Sequence, residues 1–183
     1  MLPHIMGTAF FKTGKLVGFL NGEETKDLIF IKNEVKGGVL IEGTQGNDIT
    51  TPVSLEIYKS KTQVTPVLDG KDIIINLNID TTVAIDEIAG TENYIDNEGR
   101  IKLEQNAEKT LKERIESLIE KIQSEYGTDI FGFGSKLRED KIEVWNLVSS
   151  NWEETFKNLK VNVKTKVHIK NSAMLSKPLE ESK

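Results

Sequence analysis

The side chains that most readily bind metals or transfer protons are sparse in this sequence and stand far apart. Its two histidines, His4 and His168, lie near opposite ends of the 183-residue chain, and no His-x-x-x-His spacing places two imidazoles on one helix face. We therefore interpret both histidines as surface residues. The chain has no cysteine, so disulfides, thiol catalysis and thiolate metal sites are excluded.

Two short segments look like ligand-binding loops but lack the spacing that binding requires. The first, Gly132-Phe133-Gly134-Ser135, follows neither the Gly-x-x-x-x-Gly-Lys-[ST] phosphate loop nor the three-glycine dinucleotide pattern. Close packing of backbone beside large rings explains its glycines better. The second, Asp96-Asn97-Glu98-Gly99, offers oxygen ligands without the calcium-loop spacing, and we interpret it as a solvated turn.

The sequence also lacks the nucleophile and base patterns of hydrolases. It contains no Gly-x-Ser-x-Gly elbow, and no motif places either histidine beside a serine. We therefore predict no catalytic residues, no metal site, no cofactor and no enzymatic activity, although scattered acids could still assemble a site.

The composition is typical of a folded, soluble domain. Hydrophobic residues make up 37% of the chain and charged residues 29%. The net charge is −5 with basic residues mixed among the acids, so we do not expect a nucleic-acid partner. Apolar runs such as Ile73-Ile74-Ile75 are far shorter than a membrane span. We predict a single α+β domain over residues 1–170 and a flexible tail over residues 171–183.

The clearest element that could position functional side chains is a helix over about residues 105–126. Apolar residues recur there at helical spacing while the other side is charged; the stripe is Ala107, Leu111, Ile115, Leu118, Ile119, Ile122 and Tyr126. Gly127 follows it, where a left-handed residue commonly ends a helix. A helix with one apolar stripe needs a sheet to cover it.

Alternating apolar and polar residues predict the strands of that sheet near residues 53–58, 73–80 and 161–169. Residues 62–68 are predicted to be the hairpin partner of the first of these strands, and residues 101–104 a brief strand before the helix. The predicted fold class is α+β, with an antiparallel or mixed β-sheet, the long amphipathic helix packed on one face, and shorter helices following it.

Near the N-terminus the sequence predicts a hairpin over residues 5–11 and 16–20, because Thr13-Gly14 suits a tight turn. Asn21 is predicted to cap the short helix that follows.

The segment after the long helix predicts a structural corner with a partner-binding surface beside it. Asp129 can cap the next helix, and Asn151 can cap the helix that carries Trp152 back to the corner. Rings alternate with glycines, so large side chains pack while backbone passes close by. The candidate residues are Asp129, Phe131, Gly132, Phe133, Gly134, Lys136, Arg138, Asn151 and Trp152. The alternative is that all of them are core and dock no partner.

Several motifs, in this order and spacing, resemble the C-terminal part of the Ger(x)C spore germination lipoproteins, the C subunits of germinant receptors. They are residues 7–11 with 15–18, 21–25, 55–57 with 59–61 and Pro66, 129–134, Asn151-Trp152, and the closing Val161, Val163, Val167 and Ile169. Two features depart from the family: the lipobox and upstream domains are absent, and Asn171-Ser172 stands where a glycine is common.

The resemblance implies an α+β fragment of a longer protein that an N-terminal lipidated cysteine anchors to the outer face of the inner spore membrane. It implies a complex with the integral-membrane A and B subunits of the receptor and a non-enzymatic role in nutrient-triggered germination. It transfers no catalytic residues. An extracytoplasmic small-molecule or cell-wall-binding module is the alternative function.

Overall fold

The computed structural model describes residues 7–45, 48–88 and 97–170. Its helices are α1 (Gly22–Ile31), α2 (Asn97–Lys121), α3 (Phe133–Asp140), α4 (Ile142–Val148) and α5 (Trp152–Lys157). Its strands are β1 (Thr8–Lys12), β2 (Lys15–Leu20), β3 (Val39–Gln45), β4 (Asp48–Asp69), β5 (Asp72–Ile88) and β6 (Lys160–Ile169). The tail predicted over residues 171–183 and the residues His4 and Asp96 lie outside the described residues.

The strands form a two-stranded sheet, β1-β2, and a four-stranded sheet in the order β3-β4-β5-β6. In the larger sheet β3 pairs antiparallel with β4. The side-chain amide of Asn162 donates to the side-chain oxygen of Asn76, near the start of β5, at 3.0 Å. The backbone N–H of Lys170 donates to the carbonyl of Val83, later in β5, at 2.8 Å. Both contacts advance in the same direction, which indicates that β6 runs parallel to β5. The predicted α+β fold with a mixed sheet is confirmed.

The residues cluster into two compact units. The first unit comprises Met1–Glu34, Lys61–Ile79 and Lys112–Lys164, and the second comprises Val35–Ser60, Asp80–Leu111 and Thr165–Lys183. Each has its own buried apolar residues, such as Phe30, Ile75 and Phe133 in the first and Leu55 and Val83 in the second. The single domain predicted over residues 1–170 stays a prediction.

The hairpin of the first unit forms as its turn residues predict. Thr13 and Gly14 have φ angles of 47° and 78°, the left-handed pair that matches the twist of the flanking strands. Asn21 then caps α1, accepting from the Glu24 N–H at 2.9 Å, while the Glu24 carboxylate accepts from the Asn21 N–H at 2.8 Å. The predicted cap is confirmed.

The long helix begins earlier than its stripe predicted. Residues 101–104, predicted as a brief strand, lie within α2, and Asn97 to Gly99 form its first turn. The reason is that Leu103 continues the stripe at four-residue spacing and is 2% exposed. A π-helical turn, Ile122–Tyr126, completes the helix, and the Gly127 N–H donates to the Ile122 carbonyl at 2.9 Å.

One strand prediction is wrong. Residues 62–68 do not turn back on residues 53–58, because both segments belong to the continuous strand β4. The Lys59-Ser60-Lys61 stretch has no residue that needs a left-handed backbone, so the alternation runs straight through it. The chain reverses instead at Asp69-Gly70, between β4 and β5.

Candidate functional site

A single carboxylate holds the predicted corner together in the first unit. One oxygen of Asp129 accepts from the N–H groups of Gly132 at 2.9 Å and Phe133 at 3.1 Å. The other oxygen accepts from the Gly134 N–H at 2.7 Å and from the Trp152 indole N–H at 3.2 Å. Asp129 therefore satisfies the first free donors of α3 and also fixes the indole of α5.

The two glycines of the corner are required for different reasons. Gly132 has a φ of +84°, and the space that a Cβ would occupy there is open, so its need is conformational. Gly134 lies beneath two indoles, and a Cβ there would stand 2.7 Å from Trp152 Nε1 and 3.1 Å from Trp145 Cζ3. Its need is steric.

Three phenylalanines pack beneath the corner. The ring centroids of Phe131 and Phe133 lie 5.2 Å apart, and Phe156 from α5 lies 6.2 Å and 6.5 Å from them. All three are at most 5% exposed. These rings stabilise the corner, since aromatic pairs at such separations attract one another.

Asn151 does not play the predicted part. It precedes α5, but its side chain makes no capping hydrogen bond; instead its backbone carbonyl accepts from the Thr155 hydroxyl at 3.1 Å. The reason is that Asn151 ends a 3-10 turn, Ser149–Asn151, so its backbone lacks the extended conformation of a cap residue. The prediction of a side-chain cap at Asn151 is wrong.

The two cations of the candidate surface differ in environment. Lys136 Nζ contacts Asp140 at 2.9 Å and Glu139 at 3.2 Å, and these hydrogen bonds raise the pKa of the lysine. Arg138 is exposed on the same helix. A charge reversal at Lys136 would place three acids together, so Arg138 is the cleaner position for a test of docking.

Next to the corner, α4 is an apolar helix with no buried residue. Ile142 is 51% exposed and Leu147 82% exposed, and Trp145 is half-buried against Trp152 with ring centroids 5.4 Å apart. Sequence reasoning missed this surface. The signal was present, since five apolar residues in a seven-residue helix occupy more than one face, and a single core cannot cover them all.

Other candidate chemistry is weak in the part of the chain that the structure describes. No group of three or more acids or histidines is arranged to hold a metal among the described residues. His168 is an exposed strand residue whose Nε2 lies 3.7 Å from the Asp80 carboxylate. Within those residues no helix is long and apolar enough to cross a membrane.

The fold is that of a known class of spore protein domains. A crystal structure of the GerBC protein matches this chain with a TM-score of 0.74 and 27% identity, over 86% of this chain and 48% of that one. Spore germination protein B3 of Bacillus subtilis (strain 168) is 31% identical over 153 residues, 82% of this chain and 40% of the relative. Spore germination protein YndF of the same strain is 29% identical over 158 residues, 86% of this chain and 39% of the relative.

Residues 6–173 match the family described as "Spore germination B3/ GerAC like, C-terminal", and the chain belongs to that family. The resemblance inferred from the motifs is therefore confirmed. The chain spans less than half the length of these relatives. The family is that of germinant receptor C subunits, which are implicated in spore germination.

Proposed function

We propose that this chain is the C-terminal domain of a germinant receptor C subunit and that it acts without catalysis, by binding the integral-membrane A and B subunits of the receptor. In the complete protein a lipid anchor would hold it at the outer face of the inner spore membrane. Family membership supports the receptor, and the exposed helix α4 supports a role in binding.

The exposure of α4 carries this proposal. α4 leaves Ile142 51% and Leu147 82% exposed on one short helix that buries none of its residues, and neighbouring exposed apolar side chains of this kind mark protein-binding surfaces. The corner beside it helps to orient α4, because Asp129 ties α3 to the Trp152 indole and Trp152 packs on Trp145 of α4. A preorganised apolar surface binds with a smaller entropic cost than a mobile one.

The test uses the full-length protein co-expressed with both membrane subunits. Leu147→Ser is expected to lower co-purification by about tenfold, as for a buried interface residue, without moving the melting temperature. Leu68→Ser is the matched control, since Leu68 is also an exposed leucine of the first unit, at 48%. If Leu147→Ser co-purifies and germinates like wild type, α4 is not the docking surface.

Arg138→Glu tests whether an exposed charge on the preceding helix, α3, contributes to docking. The arginine is exposed, so its reversal should leave the melting temperature unchanged while reducing co-purification and slowing germination. If Arg138→Glu and Leu147→Ser each recover as much of the complex as wild type does, the binding role at this surface is refuted.

A further inference from the structure

In the part of the chain that the structure describes, the outer edge of β6, on the side away from β5, has its backbone N–H groups bonded in the second half of the strand and open in the first half. In the second unit, the Val167 N–H donates to the Glu108 carboxylate at 3.2 Å and the Ile169 N–H to the Glu104 carboxylate at 2.8 Å. The spacing fits, because four helical residues rise about 6 Å and two strand residues about 6.6 Å. These carboxylates of α2 satisfy edge donors that would otherwise be open to another strand.

The alternation of the strand then fixes which groups of its first half are open. The N–H groups of Val167 and Ile169 point away from β5, whereas that of Lys170 donates to the Val83 carbonyl of β5. The N–H and C=O groups of Val161 and Val163 have the same parity as Val167, so they also point away from β5. Among the described residues, no side chain accepts from either of these two N–H groups.

In the first unit a cavity of about 420 Å³ includes Val161 and Val163 of β6 in its lining. Its lining is polar except for two valines of β6, and comprises Asn76, Asn78, Lys112, Glu116, Val161, Asn162, Val163 and Lys164. The helix explains why the edge is open here. Glu104 and Glu108 are four residues apart, and the next position at this spacing is Lys112, whose ammonium group cannot accept a hydrogen bond.

We propose that this cavity receives an extended acidic peptide segment of a partner protein, which adds to β6 at Val161 and Val163. Backbone groups of such a segment would pair with the open N–H and C=O groups, as in other strand-addition complexes. Lys112 Nζ lies 3.7 Å from the Glu116 carboxylate on the same helix, so Lys164 is the lining cation that remains to attract a carboxylate side chain of the peptide. The proposal rests on the binding role proposed for the domain but uses a surface other than α4.

The test titrates the 183-residue chain with a blocked peptide, Thr-Val-Glu-Val-Thr, at about millimolar concentration while backbone amide shifts are recorded. The Val161 and Val163 amides are expected to shift and their hydrogen exchange to slow. The same peptide with lysine in place of glutamate should bind about tenfold more weakly, and a backbone N-methylated version should not bind. This titration needs no membrane subunit, so its outcome is independent of the α4 experiment.

Lys164→Glu supplies the decisive variant. Lys164 is exposed and lines the cavity, so its charge reversal should repel the acidic peptide and weaken binding at least about tenfold. Lys71→Glu, the same charge change on an exposed residue of the first unit, should bind like wild type. The proposal is overturned if no amide shifts occur at Val161 and Val163, if the N-methylated peptide binds equally well, or if glycine or glucose alone produces the same shifts.

Discussion

Asp129 is the residue on which the corner depends most. Asp129→Ala would leave three backbone N–H groups and the Trp152 indole N–H without their acceptor. We expect a loss of about 2 kcal/mol or more in the free energy of unfolding, because one cap alone contributes ~0.5–2 kcal/mol. Urea unfolding followed by tryptophan fluorescence measures it. Thr155→Ala, which removes one exposed hydroxyl contact, is the control and should cost much less.

Substitutions at the two corner glycines, Gly132 and Gly134, should have distinguishable effects. Gly132→Asn should cost less than Gly132→Ala, since asparagine tolerates the left-handed backbone that this position needs. Gly134→Ala should displace the indoles and alter the tryptophan emission spectrum of the folded protein, whereas Gly132→Ala should not. Native emission spectra and urea midpoints of the three variants decide it, and an unchanged spectrum for Gly134→Ala would contradict the close contact.

For single residues, the sequence predicts hydrogen bonds and backbone conformations set by neighbours in the chain better than it predicts which groups are exposed. The Asp129 and glycine pattern is readable because caps and left-handed positions depend on neighbours in the chain. The cap expected at Asn151 is absent because this residue is the last of a 3-10 turn, and no residue type in the segment predicts that turn. The open edge at Val161 depends on α2 and β6 meeting across more than forty residues of chain, so no local pattern contains it.

Charged side chains join the two helices α1 and α2 in the first unit. The Arg114 guanidinium contacts the Asp27 carboxylate at 2.8 Å and that of Glu23 at 3.0 Å. Asp27 is 4% exposed, and burial raises its pKa above the ordinary 3.8, although Arg114 acts in the opposite direction. Lys121 donates to Glu24 at 2.6 Å, and this hydrogen bond lowers the pKa of Glu24.

The raised pKa of Asp27 predicts a pH dependence of stability with a definite sign. Folding favours its protonated form, so the stabilisation is complete below pH 3.8 and is lost as the pH rises through the folded-state pKa. The free energy of unfolding of wild type minus that of Asp27→Asn should therefore decrease as the pH rises from 3.8. Glu24, whose pKa is lowered, changes stability in the opposite direction but is present in both proteins and largely cancels. Urea midpoints across this range test it, and a difference that grows with pH would mean that the Arg114 ion pair outweighs burial.

Periodicity predicts elements well where one face is buried and poorly at their ends. The structure confirms the stripe of α2 and the alternation of β6, with Ile115 and Ile122 fully buried. The sequence predicts the start of α2 too late. Ile101, which is 43% exposed, lies outside the apolar stripe, and its presence obscures the helical spacing that Leu103 continues. The hairpin predicted between residues 53–58 and 62–68 is wrong because a run of polar residues in the middle of a strand resembles a turn in the sequence.

At the scale of the whole molecule, four elements cross the boundary between the two compact units. They are α2, β4, β5 and β6, each with residues in both units. Continuous helices and strands transmit unfolding along the chain, because breaking one turn or one ladder step exposes the next. We therefore expect the units to unfold together, as the single domain predicted from the sequence requires.

Tryptophan fluorescence makes that expectation testable, because Trp145 and Trp152 both belong to the first unit. Leu103→Ala removes a side chain that is 2% exposed in the second unit, at a cost of ~2–5 kcal/mol. If the chain unfolds as one domain, this substitution should shift the fluorescence midpoint and the circular-dichroism midpoint equally, as should Ile115→Ala in the first unit. Lys102→Ala, at an exposed neighbour, should shift neither. A Leu103→Ala protein whose circular dichroism changes at lower urea while its fluorescence midpoint stays at the wild-type value would instead establish two independently folding domains.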